Sequence, residues 1–365
     1  MMKRNTTPVY YGDYLQLDKI LGAQSLQSSK YASPAHDEML FIIVHQVYEL
    51  WFKQILHELN AVIDTFSQDA VRDEQLIEVV HRLQRIVQIQ QLMNDQISVM
   101  ETMTPQDFMS FRDFLVPASG FQSIQFKRLE ISLGLKREYR IDFDKQSFYS
   151  RLNDDDRALL EALEQKDSLF ELVDRWLARL PLLRNDEFDF WQHYKVAAEK
   201  CLEGDRIIIL SNQTLSEIEK RQELKNWQVN HDNFAALFNS TKFNQLREQD
   251  IFRLSHDAML AALFIKQYSQ EPIFNLPFQV ITALTDIDEK LTIWRYRHAM
   301  MVQRMIGTKI GTGGSSGHQY LKRTTESNRI FSDFFNMVSF LLPKSVLPPL
   351  PDKIRRLCGF YLSEK

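Results

Sequence analysis

The chain has 365 residues, 44% of them hydrophobic, which is enough to bury a substantial core in one large domain or two smaller ones and argues against disorder. Its 11 glycines and 11 prolines, set against 25 phenylalanines, favour long helices and aromatic packing over a turn-rich sandwich. A net charge of −4 with both signs intermixed offers no basic field for nucleic acid.

Cys201 and Cys358 stand far apart without a CxxC or a Cys/His cluster, which argues against a disulfide framework and a structural zinc site. The opening residues carry no apolar signal segment. The most apolar stretch, Met39 to Phe52, contains His45, Gln46 and Glu49 and is too short to span a bilayer. The expected protein is therefore soluble, uncleaved and cytoplasmic.

In chain order, residues 1–32 read as an extended arm with short helical pieces, and Ser33-Pro34 reads as the cap and first turn of a helix running to about Phe66. Within that helix Phe41, Val44, Tyr48, Trp51, Ile55 and Leu59 recur at three- and four-residue steps, the mark of a buried face. A second helix is predicted from about Asp73 to Met100, with Leu76, Val80, Leu83, Val87 and Met93 in its core face. Thr104-Pro105-Gln106-Asp107 supplies a cap, a first-turn proline and an acid three places on, so a short helix begins there and stops by Pro117. The polar stretch 138–250, with helical patterns at Leu159 to Leu180 and Glu187 to Glu203, is where a small accessory helical region would lie in an otherwise single domain. From Asn275 a long helix is predicted to end at Gly307, and five glycines crowd into Gly307 to Gly317, a segment able to adopt positive φ near a ligand. A final helix is expected over about Arg329 to Leu342, and the class is all-α.

No two of the nine histidines lie three or four residues apart, so HExxH zinc chemistry is excluded. His36-Asp37-Glu38 with His45 could supply non-haem iron ligands, but an acidic helix start explains the same cluster. Gly313-Gly314-Ser315-Ser316-Gly317 matches the GxSxG of a hydrolase elbow, yet a helix precedes it rather than the strand an elbow requires. The overlapping glycine spacing misses GxGxxG by one residue.

Three polar residues then remain on apolar helical faces. His45 aligns with Phe41, Tyr48 and Phe52; Arg112 follows Phe108 by one turn; His298 follows Trp294 by one turn on a methionine-rich helix. Each reads equally as a core residue, a snorkelling arginine or a hydrogen-bonded histidine. Each also fits a site, as a guanidinium for a carboxylate or an imidazole for a haem iron. Periodicity leaves that choice open.

The surrounding words narrow it. HDEMLFIIVHQVYELWFKQILHEL (His36 to Leu59), ETMTPQDFMSFRDFLVPASGFQS (Glu101 to Ser123), DIDEKLTIWRYRHAMMVQRMIG (Asp286 to Gly307) and GTGGSSG (Gly311 to Gly317) together resemble the tryptophan 2,3-dioxygenase family, in order, over about Tyr11 to Pro343. The resemblance implies haem-dependent opening of the L-tryptophan indole ring by O2 to N-formylkynurenine, the first step of the kynurenine route. It implies haem b with His298 as proximal iron ligand, and Ser119 and Trp294 at the cofactor. It further implies that His45 hydrogen-bonds the indole N–H, Phe41 and Phe108 line the indole pocket, Arg112 clamps the carboxylate and Thr312 meets the ammonium group. Tyr14 and Leu15 match positions that reach a neighbouring subunit's site in a homotetramer. Two positions depart from the wider pattern: some bacterial members have tyrosine at Phe108, and many animal members have asparagine at Arg297. A non-catalytic haem gas sensor and a cofactor-free helical interaction protein are the alternatives from other classes. The retained Arg112 and glycine-rich loop disfavour the sensor.

Overall fold

The computed structural model describes residues 5–140, 148–149, 152–179, 190–307, 309, 321, 325 and 327–350. Among these the regular structure is helical, with no strand. The arm holds three short helices, α1 (Tyr11–Leu15), α2 (Leu17–Leu21) and α3 (Gln27–Lys30). Two long helices follow, α4 (Glu38–Phe66) and α5 (Asp73–Met100), then α6 (Pro105–Phe111) and α7 (Ile124–Leu133). The middle of the chain forms α8 (Asp154–Glu164), α9 (Leu169–Ala178), α10 (Phe190–Ser211), α11 (Glu217–Ala236) and α12 (Ser240–Glu248). Then come α13 (His256–Gln267), the long α14 (Asn275–Ile306) and the short α15 (Ser332–Asn336).

The second and fourth predicted boundaries hold: α5 spans the expected residues, and α14 stops at Gly307, whose φ of 59° is the positive value a helix-ending glycine permits. The first helix starts later than the Ser33-Pro34 signal. The Glu38 carboxylate accepts hydrogen bonds from the backbone N–H of Gln27 and Ser28 and from the Ser28 hydroxyl, which itself accepts from the Ala35 N–H. That knot holds Pro34 outside the helix, which starts at Glu38. The expected final helix is also shortened, to α15 and a 3-10 turn at Met337–Phe340. Asp288 takes the backbone N–H groups of Ile330 and Phe331 at 3.0 and 3.2 Å, so those residues are bound outside a helix. Likewise α6 ends at Phe111, and a 3-10 turn (Arg112–Leu115) carries the chain toward Pro117.

The packing is organised by α5, which lies between α4 and α14 and packs extensively on both. Ile55, Leu59, Leu83, Ile86, Leu284 and Ile287 are fully buried between them. Buried side chains of the middle region, among them Leu169, Tyr194, Phe234 and Phe243, belong to the same apolar cluster. Polar links fix the register: buried Glu58 pairs with Arg82 and Arg85 at 3.2 and 2.8 Å, tying α4 to α5. Arg253 donates to the carbonyls of Gly134 and Ile330, both at 2.8 Å, drawing α7 and the segment before α15 together.

Gly134 closes α7 with φ +132°, and a Cβ there would sit 2.6 Å from the Phe170 Cβ. Gly134→Ala combines an unfavourable backbone with a steric clash and should cost about 2–4 kcal/mol. Urea unfolding checks this: the midpoint should fall with little change in slope. A wild-type midpoint would show that α9 yields freely.

Candidate active site

A cavity of about 280 Å³ lies between α4, α6, α7 and α14, and aromatic and aliphatic side chains make up most of its wall. On α4, Phe41 and His45 are one turn apart with centroids 4.2 Å from each other. From α6, Phe108 stacks on Phe41 at 5.7 Å and meets Phe111 edge-on at 5.4 Å. Thr104 makes this placement possible, because its side chain and that of Asp107 cap each other's backbone and start α6 where Phe108 turns inward.

On α14, Trp294 and His298 stack at 5.2 Å with 20° between their planes. Phe126, Tyr48 and Phe52 enclose the indole at 5.0, 6.0 and 6.2 Å, so the histidine ring rests on a fixed platform. Burial, with the nearby His45 adding to it, pushes the His298 imidazole down to about 4, so the ring is neutral at physiological pH. Its Nδ1 is buried with no hydrogen-bond partner among the described residues. The ring nonetheless keeps accessible surface, because it faces the cavity.

His45 is enclosed in the same way, and its exposed surface is cavity surface. Burial lowers its pKa, against the opposing pull of the Phe41 carbonyl and the Glu49 charge. Nδ1 lies 2.7 Å from the Phe41 carbonyl oxygen, which can only accept. Nδ1 therefore carries the proton, and Nε2 is left as an acceptor. Arg112 begins the 3-10 turn after α6 and lines the cavity, with its guanidinium 3.8 Å from the exposed carboxylate of Asp113.

The cavity thus gathers Phe41, His45, Phe108 and Arg112 with Ser119, Trp294 and His298, residues drawn from three separate stretches of sequence. Tyr14 and Leu15 do not join them in the single chain: they lie on α1, where Tyr14 is 75% exposed. Thr312 lies outside the described residues. Sequence reasoning passed over Glu49, Lys127, Glu130, Arg295 and Asn328, which also line the cavity. For Arg295 a signal was present, since it shares a helical face with His298 one turn away.

The tryptophan 2,3-dioxygenase family model matches residues 2–341. A tryptophan 2,3-dioxygenase of Alteromonas mediterranea is 74% identical over 361 residues, covering 99% of this chain and 100% of the relative. Those of Bdellovibrio bacteriovorus and Dictyostelium discoideum are each 46% identical, covering 97% of this chain and 99% and 89% of theirs. The chain belongs to the tryptophan 2,3-dioxygenase family.

No described helix is long and apolar enough to cross a membrane. The described residues also hold no group of three or more His, Cys, Asp or Glu suited to a bare metal ion, which would need three or four protein ligands. One neutral imidazole facing an apolar cavity instead fits a metal that arrives with equatorial ligands of its own, as a haem iron does.

The tautomer of His45 is open to measurement. Imidazole nitrogen shifts recorded through a pH titration should show the neutral form of His45 protonated on Nδ1, with its transition below the ordinary 6.5. A transition above that value would mean that Glu49 outweighs burial.

Proposed function

We propose that the protein opens the indole ring of L-tryptophan with O2, adding both oxygen atoms across the C2–C3 bond to give N-formylkynurenine, with haem b as cofactor. The observation that carries this reading is that two neutral imidazoles, an arginine and an aromatic pair face one cavity, in a family whose named relatives are tryptophan 2,3-dioxygenases.

His298 would hold the haem iron, with the Trp294 platform fixing its ring and Ser119 at the cofactor edge. Its lowered pKa keeps it unprotonated and ready to ligate. Haem, when bound, supplies the O2 chemistry. The side chains supply orientation and exclude water. Phe41 and Phe108 give the indole two faces to lie against, while the acceptor Nε2 of His45 takes the indole N–H. His45 orients the ring rather than removing its proton, because an indole N–H is far less acidic than an imidazolium. Arg112 receives the carboxylate through a planar pair of N–H donors, and Thr312 meets the ammonium group. Holding the substrate at both ends turns an encounter into a fixed approach, which is where much of the rate comes from.

Haem would be matched by a homotetramer in which Tyr14 and Leu15 complete a neighbour's pocket. The exposed Tyr10, Tyr11, Tyr14 and Leu21 of the arm support that arrangement, since they are apolar surface without cover in one chain.

The Arg112 assignment is tested by comparing L-tryptophan with an indole analogue that lacks the carboxylate, in haem-loaded wild type, Arg112→Lys and Arg112→Ala. Loss of the guanidinium should cost L-tryptophan several kcal/mol in kcat/KM and the analogue little, with lysine intermediate and haem content normal throughout. Equal losses on both substrates would make Arg112 a support of the fold. His45→Ala should keep haem and retain measurable turnover, its loss being on the order of a few kcal/mol at most. Complete loss with substrate still bound would make His45 an essential acid or base.

A further inference from the structure

The wall beside His298 contains a buried ion pair. Arg295 precedes His298 by one turn on α14, a spacing that puts their Cβ atoms roughly 5–6 Å apart on one face. Its guanidinium makes a 2.6 Å bond to the Glu130 carboxylate on α7 and donates at 2.8 Å to the Asn328 carbonyl. Arg295 is 3% exposed and Glu130 5%. Both line the cavity, as does Asn328.

Packing alone does not call for such a pair. Desolvating two charges costs about as much as their attraction returns, and apolar residues of the same volume hold helices together as well or better. Phe126 and Trp294 already join α7 to α14 in that way, at 5.0 Å. A buried pair placed one turn from the candidate iron ligand, in a wall that is otherwise mostly apolar, sets two opposed charges beside that ligand, and each is offset there only while the other is present.

We infer that Arg295 and Glu130 are positioning residues of a charge-balanced kind: each cancels the other's field at the group His298 would hold, so that neither charge alone displaces its ferrous–ferric balance. The inference rests on the haem reading given above. Oxidising the iron adds one positive charge. A cation close by disfavours that step, an anion favours it, and weak screening in the buried wall enlarges both effects. Bonded to each other, the two side chains cancel. Other charges nearby are Lys127, whose ammonium lies 3.8 Å above the Phe148 ring, Asp288, two turns before Arg295 and bonded to the Ile330 and Phe331 N–H groups, Arg297, paired with Glu101 at 3.6 Å, and Glu49 and Arg112 in the cavity wall.

The test is a spectroelectrochemical titration of the full haem-loaded chain as wild type, Glu130→Gln, Arg295→Gln, Arg295→Lys and the double Glu130→Gln/Arg295→Gln variant. Glu130→Gln leaves an uncancelled cation and should raise the midpoint potential; Arg295→Gln leaves an anion and should lower it. Arg295→Lys and the double variant should return close to wild type. Opposite signs from the two single changes are what loosened packing does not produce, since it would move both the same way. Shifts of one sign, or none in either single variant, would overturn the inference and leave the haem reading intact. Failure of the wild type to take up haem would overturn that reading instead. Should a single variant lose haem, the double variant decides, because its pair is as neutral as the wild type's: a displaced potential there would overturn the inference.

Discussion

Helix α14 carries Val280, Leu284, Ile287 and Leu291 on one side, and that stripe leaves water only by lying along α5. Two polar contacts then fix the register between the helices. The Asn94 amide donates to the Lys290 carbonyl at 3.1 Å, and Arg297 donates back to the Asn94 carbonyl. Once that alignment is set, the next turns of α14 have no freedom. Trp294 and His298 come round to face α4 and α7, and Arg295 reaches Glu130. The position of the candidate ligand is thus a consequence of helix packing that begins some four turns earlier.

The cavity follows from what those helices present. Farther along, Ile55 and Leu59 of α4, Leu83 of α5 and Leu284 of α14 are fully buried in the apolar core. Around His45 and His298 the wall combines stacked rings with Val44, Met301 and Val302, and a cavity remains. Burial lowers the pKa of both imidazoles. One physical cause therefore leaves each ring with an unprotonated nitrogen, without any dedicated base to deprotonate it.

Much of this was legible from the residues. The apolar periodicity located α4, α5 and α14, because each is long enough for the stripe to outweigh local signals. The cap at Thr104 located α6. What failed to read were the places where a distant side chain claims the backbone: Glu38 moving a helix start past Pro34, and Asp288 holding Ile330 and Phe331 out of a helix. Those contacts link residues 10 to 43 apart, beyond any local window. For the site, periodicity put His45, Arg112 and His298 on inward faces but left them as possible core residues; the family's signature segments distinguished the readings, and the structure brings the three to one cavity. The Glu130–Arg295 pair went unread because its partners lie 165 residues apart, although Arg295 shares a helical face with His298.

The central claim is that His298 is the protein's one ligand to a haem iron. It is tested most directly by titrating the purified full chain and its His298→Ala variant with haem and recording the reduced absorption spectra. The account calls for stoichiometric uptake by the wild type with a five-coordinate, histidine-ligated ferrous spectrum, and for loss of that spectrum in the variant, with the ligation restored by added imidazole. An unchanged ferrous spectrum in His298→Ala would place the iron on another residue and contradict the account.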